Sequence, residues 1–338
     1  MSLQQRVTVK VPASTANLGP GFDTLGMALA LYAWIEMKPS EQTVFHLYGD
    51  HLNGLTTDRS NLIYEVAQMV FKEAGVSVPE LEISMFSDIP LTRGLGSSAS
   101  AIVGALAAAN ALIGSPLSDD KLMDMATSLE KHPDNVGASL YGGIIAAAWD
   151  GSRVDHIRIE PHQDLQTLVI VPDFELSTSK ARNVVPQQFD KSDVVHNISR
   201  SSLLVAALAS GRLDMIPRAM LDRIHQPYRA SLVPGMTEIL EHAVEHGALG
   251  AALSGAGPTV LTLVDRHDPR KAELEQYLME TMGKEGINAT PLWLDPDLDG
   301  VTVLPDQDER PFLDRIKGEV KARNELPYYL KAPFPMKL

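Results

Sequence analysis

Residues 89–104, with the sequence IPLTRGLGSSASAIVG, constrain the fold more than any other part of the chain. Residues 81–85 alternate apolar and polar side chains, which predicts a half-buried strand, and Pro90 ends it. Residues 99–113 are mostly alanine and aliphatic, which predicts a helix too apolar to lie on a surface. The polar loop therefore joins a strand to a buried helix.

The loop has the composition of an anion-binding site. Gly94 and Gly96 permit a tight turn, and Ser97 and Ser98 start the helix, where backbone N–H groups are unpaired and favour negative charge. Arg93 adds a cation. A serine-capped helix after a glycine turn is an equally good explanation of so short a motif. Because the loop matches neither a Walker A sequence nor a GxGxxG turn, it indicates a different phosphate cradle.

Composition limits the class of protein. The chain has 338 residues, enough for one large or two ordinary domains, and 44% hydrophobic with 21% charged residues is typical of a soluble globular protein. A net charge of −14 argues against nucleic acid or an anionic membrane as the main partner. The sequence predicts no export signal or membrane span, so we expect a cytoplasmic protein. With no cysteine, disulfides and thiolate chemistry are excluded.

Two more glycine-rich loops accompany the first. PASTANLGPGFD begins at Pro12, which we expect to close an opening strand at residues 7–11, and it holds Asn17 and Asp23. LSGAGPTV, with its turn at residues 254–258, lies between two strands that we expect to be neighbours. Taken alone, the first loop is nearly as well explained as a turn stabilised by its own Asn and Asp side chains.

Polar residues also cluster after a helix predicted at residues 118–130. His132, Asp134 and Asn135 lie in one short predicted loop, with Glu130 just before it. A solvated turn at a helix end is an equally good interpretation.

Two arginines stand in later segments. Thr178 and Arg182 are four residues apart and share a face if their segment is helical. Arg229 follows in HQPYRASLVPG, and an arginine in such a loop is usually a solvated charge.

The three glycine-rich loops, in this order, resemble the motifs of the GHMP small-molecule kinases, and KHPDNVGAS, TSKARNVVP and QPYRASLVPG resemble homoserine kinases within that group. The resemblance implies an α+β fold. A ribosomal protein S5 domain 2-like, ATP-binding domain would span residues 1–160 and a ferredoxin-like domain residues 161–294, with the active site in the cleft between them. The resemblance does not cover residues 295–338, whose composition predicts an acidic, proline-containing extension with one helix near residues 312–323.

The resemblance also implies ATP, Mg²⁺ and an amino-acid pocket. Asn61, otherwise a helix cap, would lie near the adenine. The predicted triphosphate contacts are Pro90, Leu91, Thr92, Arg93, Gly94, Leu95, Gly96, Ser97, Ser98 and Ala99. The predicted amino-acid pocket contains Asn17, Asp23, His132, Thr178, Arg182, Arg229 and Gly257.

The implied reaction is ATP-dependent phosphorylation of the L-homoserine hydroxyl to O-phospho-L-homoserine, a step toward threonine. Arginines suit the substrate carboxylate, because Arg182 and Arg229 can bind it bidentately. Asn135 stands where related sugar and mevalonate kinases have an aspartate, and an amide cannot be a base. We expect Asn135 and Arg182 to be catalytic, with Asn135 orienting the hydroxyl and the proton leaving to a phosphate oxygen or water.

For the metal, the predicted ligands are Ser98 and Glu130, with Ser128 as the alternative alignment of the family's glutamate. Two other functions remain open: a GHMP kinase for another small alcohol, and a non-catalytic protein that binds ATP or an amino acid. The resemblance further implies a homodimer, and we expect neither nucleic acid nor membrane as a partner.

Overall fold

The computed structural model describes residues 3–49, 52–305 and 310–324 and has the predicted α+β architecture, with two sheets. The strands are β1 (Val7–Ala16), β2 (Leu25–Pro39), β3 (Val44–Tyr48), β4 (Leu81–Ser87), β5 (Ile144–Trp149), β6 (Val154–Ile159), β7 (Leu165–Pro172), β8 (Ala248–Leu253), β9 (Val260–Asp265), β10 (Ala289–Leu294) and β11 (Thr302–Leu304). The helices are α1 (Leu62–Glu73), α2 (Ser97–Leu112), α3 (Asp119–Glu130), α4 (Asp134–Tyr141), α5 (Thr178–Asn183), α6 (Lys191–Ser210), α7 (Ile216–Ala219), α8 (Gln226–Arg229), α9 (Met236–His242), α10 (Lys271–Lys284) and α11 (Phe312–Asn324).

The first sheet has seven strands and is organised around β2. Its main order is β11-β1-β2-β4-β3, and β5 pairs with the beginning of β2 and with β6. The apolar helix α2 packs on β1 and β2 and against α1 and α4. Twelve of its sixteen residues are buried. The prediction of a buried helix after the serine-rich loop is confirmed.

The opening strand is longer than predicted, because Pro12 does not close it. β1 continues to Ala16, and its pairing with β2 shifts register between Pro12 and Ala13. At such a bulge the missing N–H of proline costs no ladder hydrogen bond. The extra residues include Ser14, which hydrogen-bonds to Asn135, and Thr15, which hydrogen-bonds to Ser254.

The second sheet has the order β10-β7-β9-β8, all antiparallel, with α9 and α10 packed on it. β8 and β9 are neighbours, as predicted from the glycine-rich turn between them. The first sheet's β6 ends at Ile159 and β7 begins at Leu165. The predicted domain boundary near residue 160 stays a prediction.

The segment predicted as a loop at residues 132–135 is partly helical. α4 begins at Asp134, with Pro133 as its N-cap residue, so Asp134 and Asn135 occupy its first turn. The Asp134 carboxylate accepts a hydrogen bond from the backbone N–H of Asn135 at 2.7 Å. A short polar side chain and a preceding proline are compatible with a turn or a helix start, which explains the error.

Residues after Leu294 return to the first sheet. β11 pairs with β1, and the predicted C-terminal helix is present as α11, whose Phe312 and Ile316 pack with Trp34 and Phe86. Arg315 on α11 forms an ion pair with the buried Glu36 of β2. Of the predicted extension, residues 306–309 and 325–338 lie outside the described residues. Within the described ranges, no helix has the length and apolar character needed to cross a membrane.

Candidate active site

A cavity of about 140 Å³ lies where the glycine-rich loops, α4, α5 and α8 meet. It brings together residues that are far apart in the sequence. Its lining comprises Ala16, Asn17, Asp23, Thr92, Gly94, Gly96, Ser97, Ser98, Ala99, Glu130, His132, Asp134, Asn135, Leu176, Thr178, Arg182, Arg229, Gly255, Ala256 and Gly257. All the predicted amino-acid-pocket residues are in this set.

At one end of the cavity is the N-terminus of α2. The N-cap residue is Gly96, and no side chain caps the helix, so its first backbone N–H groups are available to a ligand. Gly96 has φ 69°, and a Cβ there would lie 2.1 Å from Ser14 Oγ. The position therefore requires glycine. An uncapped helix start beside a cavity suits phosphate oxygens.

Ser254 joins the three glycine-rich loops. Its buried hydroxyl lies 2.6 Å from the Gly94 carbonyl oxygen and 2.8 Å from Thr15 Oγ1. A Cβ on Gly94 would lie 2.5 Å from the Ser254 carbonyl oxygen. The loops are therefore in contact through their backbone and small side chains, and they pack closely against one another beside the cavity.

Asp23 and Arg182 form an ion pair beside the cavity. Nη1 of Arg182 donates to Oδ2 of Asp23 at 3.0 Å, and Nη2 donates to Oδ1 at 2.7 Å. This hydrogen-bonded carboxylate raises the pKa of Arg182. Asn17 holds the aspartate's loop, because its Oδ1 accepts the Asp23 N–H and its Nδ2 donates to the Gly255 carbonyl.

Arg229 is buried, with 1% of its surface exposed, so the interpretation of a solvated loop charge is wrong. Burial, followed by the charge of Arg182, lowers the pKa of Arg229 to about 10, so it stays cationic at neutral pH. Its Nε donates to the Ala181 carbonyl and its Nη1 to the Gly255 carbonyl, both at 3.0 Å. Arg229 also lines the cavity, so its guanidinium can contact a ligand there.

Asn135 has its amide oriented by two serines. Ser139 Oγ donates to Ser14 Oγ at 3.3 Å, and Ser14 Oγ donates to Asn135 Oδ1 at 3.0 Å. With the amide oxygen occupied, the Nδ2 donor remains for the cavity. The amide can hold an oxygen atom of a ligand there.

His132 lies between two carboxylates. Its Nδ1 is 2.7 Å from Asp134 Oδ1 and its Nε2 is 3.6 Å from Glu130 Oε2. Burial lowers the pKa of His132, but the hydrogen bond to Asp134 and the surrounding carboxylates outweigh it, and the pKa is raised.

Two groups of possible metal ligands border the cavity. Asp23, His132 and Asp134 place ligand atoms within 4.8 Å of one another, but Asp23 is bound to Arg182 and Asp134 to His132. Ser98 and Glu130 are closer to the α2 N-terminus, with Ser98 Oγ 2.5 Å from Glu130 Oε1. A hydroxyl and a carboxylate are hard oxygen ligands that suit a divalent cation beside phosphate.

Some predicted nucleotide contacts do not line this cavity. Asn61 caps α1, accepting from the Ile63 N–H, and Arg93 donates to the Asp173 carbonyl and pairs with Glu175. The cavity lining also omits Pro90, Leu91 and Leu95. Ser128 is exposed and donates to the Met125 carbonyl.

Sequence reasoning missed several residues that support the site. Ser14 and Ser139 hold Asn135, and Ser254 joins the loops. Phe22 and His225 contact Arg229. The spacing of His225 and Arg229, four residues apart, was a readable signal, because such residues share a helix face. The serines offered no comparable signal, since their partners are more than a hundred residues away.

The fold and the site agree with a small-molecule kinase of the GHMP class, and comparison with known proteins assigns the chain to that class. The models of the GHMP kinases N terminal domain and the GHMP kinases C terminal domain match residues 61–143 and 204–277. A homoserine kinase of Deinococcus radiodurans is 46% identical over 88% of this chain and 96% of that protein. One of Desulfitobacterium hafniense is 40% identical over 88% of this chain and 100% of that protein.

A solved structure agrees with these relatives. The crystal structure of homoserine kinase from Cytophaga hutchinsonii superposes with a TM-score of 0.81 and 27% identity, covering 90% of this chain and 99% of that one. The chain belongs to the homoserine kinase family.

Proposed function

We propose that this chain transfers the γ-phosphoryl group of ATP to the side-chain hydroxyl of L-homoserine, giving ADP and O-phospho-L-homoserine. One observation carries the proposal: a single cavity holds the uncapped start of α2, an amide donor on Asn135, and charged groups of both signs on Asp23, Arg182 and Arg229. A phosphate donor and a small zwitterionic alcohol are together complementary to this set.

The acidic and basic side chains fit the two ends of an amino acid. Asp23 offers a carboxylate to the ammonium group, while Arg182 and Arg229 offer guanidinium groups to the carboxylate. These arginines also supply local positive charge in a chain of net charge −14. His132 and Thr178 complete the polar lining, with Thr178 on the exposed rim.

Transfer depends on positioning rather than on a protein base. In phosphoryl transfer most of the barrier reduction comes from alignment and charge neutralisation. Asn135 Nδ2 donates to the hydroxyl oxygen and turns it toward the phosphate, while the hydroxyl proton leaves to a phosphate oxygen or water. The α2 N-terminus holds the phosphate oxygens through its free N–H groups.

Ser98 and Glu130 are the proposed Mg²⁺ ligands, and their adjacent oxygens fit a hard divalent cation. When bound, Mg²⁺ would neutralise phosphate charge. Glu130 is favoured over Ser128, because Glu130 lines the cavity and Ser128 points to its own helix. For the nucleotide, the proposed triphosphate contacts are residues 90–99, with Asn61 near the adenine.

The test is a coupled ADP-release assay with L-homoserine, mevalonate and galactose as separate acceptors. We expect release with L-homoserine only. Release with another acceptor alone would support the GHMP kinase of different specificity, and release with none would support the non-catalytic binding protein. The predicted homodimer is tested separately by light scattering of the purified chain.

A further inference from the structure

We propose that His225 is a positioning residue that fixes the distance between the anionic and cationic ends of the amino-acid pocket. The proposal rests on the proposed function, because those ends are Asp23 and Arg229. His225 lies outside the cavity lining and is 0% exposed, so it acts through its neighbours.

The two ring nitrogens of His225 have different partners. Nε2 lies 2.7 Å from the Gly19 carbonyl oxygen, which can only accept. Nδ1 lies 3.3 Å from Nη1 of Arg229, which can only donate. Both contacts are therefore satisfied by one form of the ring, the neutral imidazole with its proton on Nε2.

The Gly19 carbonyl belongs to the loop that carries Asp23. Asn17, Leu18 and Gly19 are three successive residues with positive φ, at 72°, 45° and 85°. Such a backbone persists only where its surroundings hold it. A Cβ on Gly19 would lie 2.4 Å from the Met220 carbonyl oxygen, so the loop is pressed against the segment before α8.

Phe22 completes the link. Its ring stacks on the His225 imidazole with centroids 5.0 Å apart, and the Arg229 guanidinium carbon lies 5.2 Å from the same ring. At the start of α8, the Asp222 carboxylate accepts hydrogen bonds from the backbone N–H groups of His225 and Gln226. One imidazole thus ties the aspartate's loop to the substrate arginine, and both to the start of α8.

The test compares His225→Phe and His225→Gln with wild type in steady-state kinetics. Phenylalanine keeps a stacked ring and removes both hydrogen bonds, so we expect KM for L-homoserine to rise about tenfold to a hundredfold, with KM for ATP changed less than about twofold. Glutamine offers one donor and one acceptor and should recover part of the loss. In an Arg229→Ala background, His225→Phe should raise KM for L-homoserine little further.

His246→Phe is the matched control. His246 also stacks on an aromatic ring, that of Tyr277 at 3.9 Å, and hydrogen-bonds through Nδ1, to Glu273, but it lies away from the cavity. We expect wild-type kinetics from it. Equal KM values for wild type and a folded His225→Phe would overturn the proposal, as would equal rises for both substrates.

A measurement on the wild-type protein separates this proposal from the proposed function. Nitrogen-15 NMR of the imidazoles at neutral pH should show His225 protonated on Nε2 only. A proton on Nδ1, or an imidazolium ring, would overturn the positioning role even in an active kinase. If the protein released no ADP with L-homoserine, the function would fail, while the Nε2 proton would still support the link between the loop and Arg229.

Discussion

Arg182 binds Asp23 through both terminal nitrogens, although the two residues are 159 positions apart in the chain. The pair occupies the groups that we assign to the substrate. A ligand with only a carboxylate would take Arg182 and leave Asp23 uncompensated, whereas a zwitterion compensates both. The ion pair therefore selects for ligands that carry both charges.

This relationship predicts discrimination against singly charged analogues. We expect 4-hydroxybutyrate and 3-aminopropan-1-ol to show kcat/KM values about tenfold to a hundredfold below that of L-homoserine. In Asp23→Asn the penalty on 4-hydroxybutyrate should shrink, because the neutral amide no longer needs an ammonium partner. ADP release measures all three acceptors, and an unchanged penalty in Asp23→Asn would count against charge selection.

Asn135→Ala should lower kcat about a hundredfold, since a misplaced nucleophile costs roughly that much. KM for ATP should change little. Ser14→Ala should act through the same amide, so its effect should be small in an Asn135→Ala background. If Asn135→Ala kept full turnover while Arg182→Ala abolished it, the orienting role of Asn135 would be wrong.

Gly96→Ala should disable the phosphate cradle. Its Cβ would meet Ser14 Oγ, and we expect KM for ATP to rise by at least about tenfold. Gly75→Ala is the matched control, because Gly75 has a similar φ of 68° but open space around its Cβ. Thermal denaturation should show a larger loss of stability in Gly96→Ala, which adds a clash to the positive-φ strain that both variants share, and only Gly96→Ala should lose activity.

Glu130→Gln should raise the Mg²⁺ concentration for half-maximal activity by about tenfold, since a neutral amide is a weaker ligand for a hard cation. Ser128→Ala, measured in the same titration, should leave it unchanged. Wild-type Mg²⁺ dependence in Glu130→Gln would remove Glu130 from the metal site, and a shift in Ser128→Ala would favour the alternative alignment.

The pH dependence of stability should report on His225. Burial chiefly, with the charge of Arg229, lowers its pKa, while Asp222 opposes the shift. The unfolded chain, with a histidine pKa of about 6.5, therefore takes the proton first, so stability is present above that pH and lost as pH falls toward the folded pKa.

Urea denaturation at about pH 7 and about pH 5 tests this sign. When the pH falls from the higher to the lower value, the free energy of unfolding should decrease more for wild type than for His225→Gln. The comparison with a variant is needed because the raised pKa of His132 acts in the opposite direction, stabilising the fold at low pH. An equal loss in both proteins would show that His225 is not held neutral.

Local patterns predicted much of this structure. Ser118 caps α3 and Asn61 caps α1, as their residue types indicate, and the α2 N-terminus lies where glycine and serine precede the apolar run. These signals depend on a few neighbouring residues. The resemblance to a known family supplied the rest of the candidate site.

Long-range features could not be read in the same way. The burial of Arg229 depends on the Ala181 and Gly255 carbonyls, which no local pattern connects to it. The return of β11 to β1 joins residues almost three hundred positions apart. The sequence of β1 does not predict the bulge at Pro12, because the bulge depends on the pairing with β2.

The contact of Ser254 with Thr15 and Gly94 has a consequence for how the enzyme gains its activity. Ser254 is 239 positions from Thr15 and 160 positions from Gly94 in the chain, so no partly synthesised or half-folded chain can assemble the phosphate cradle. Contacts of such sequence separation form late, after costly loop closure. During refolding, the circular dichroism signal should recover before catalytic activity does. The return of enzymatic turnover would then report when these loop contacts form.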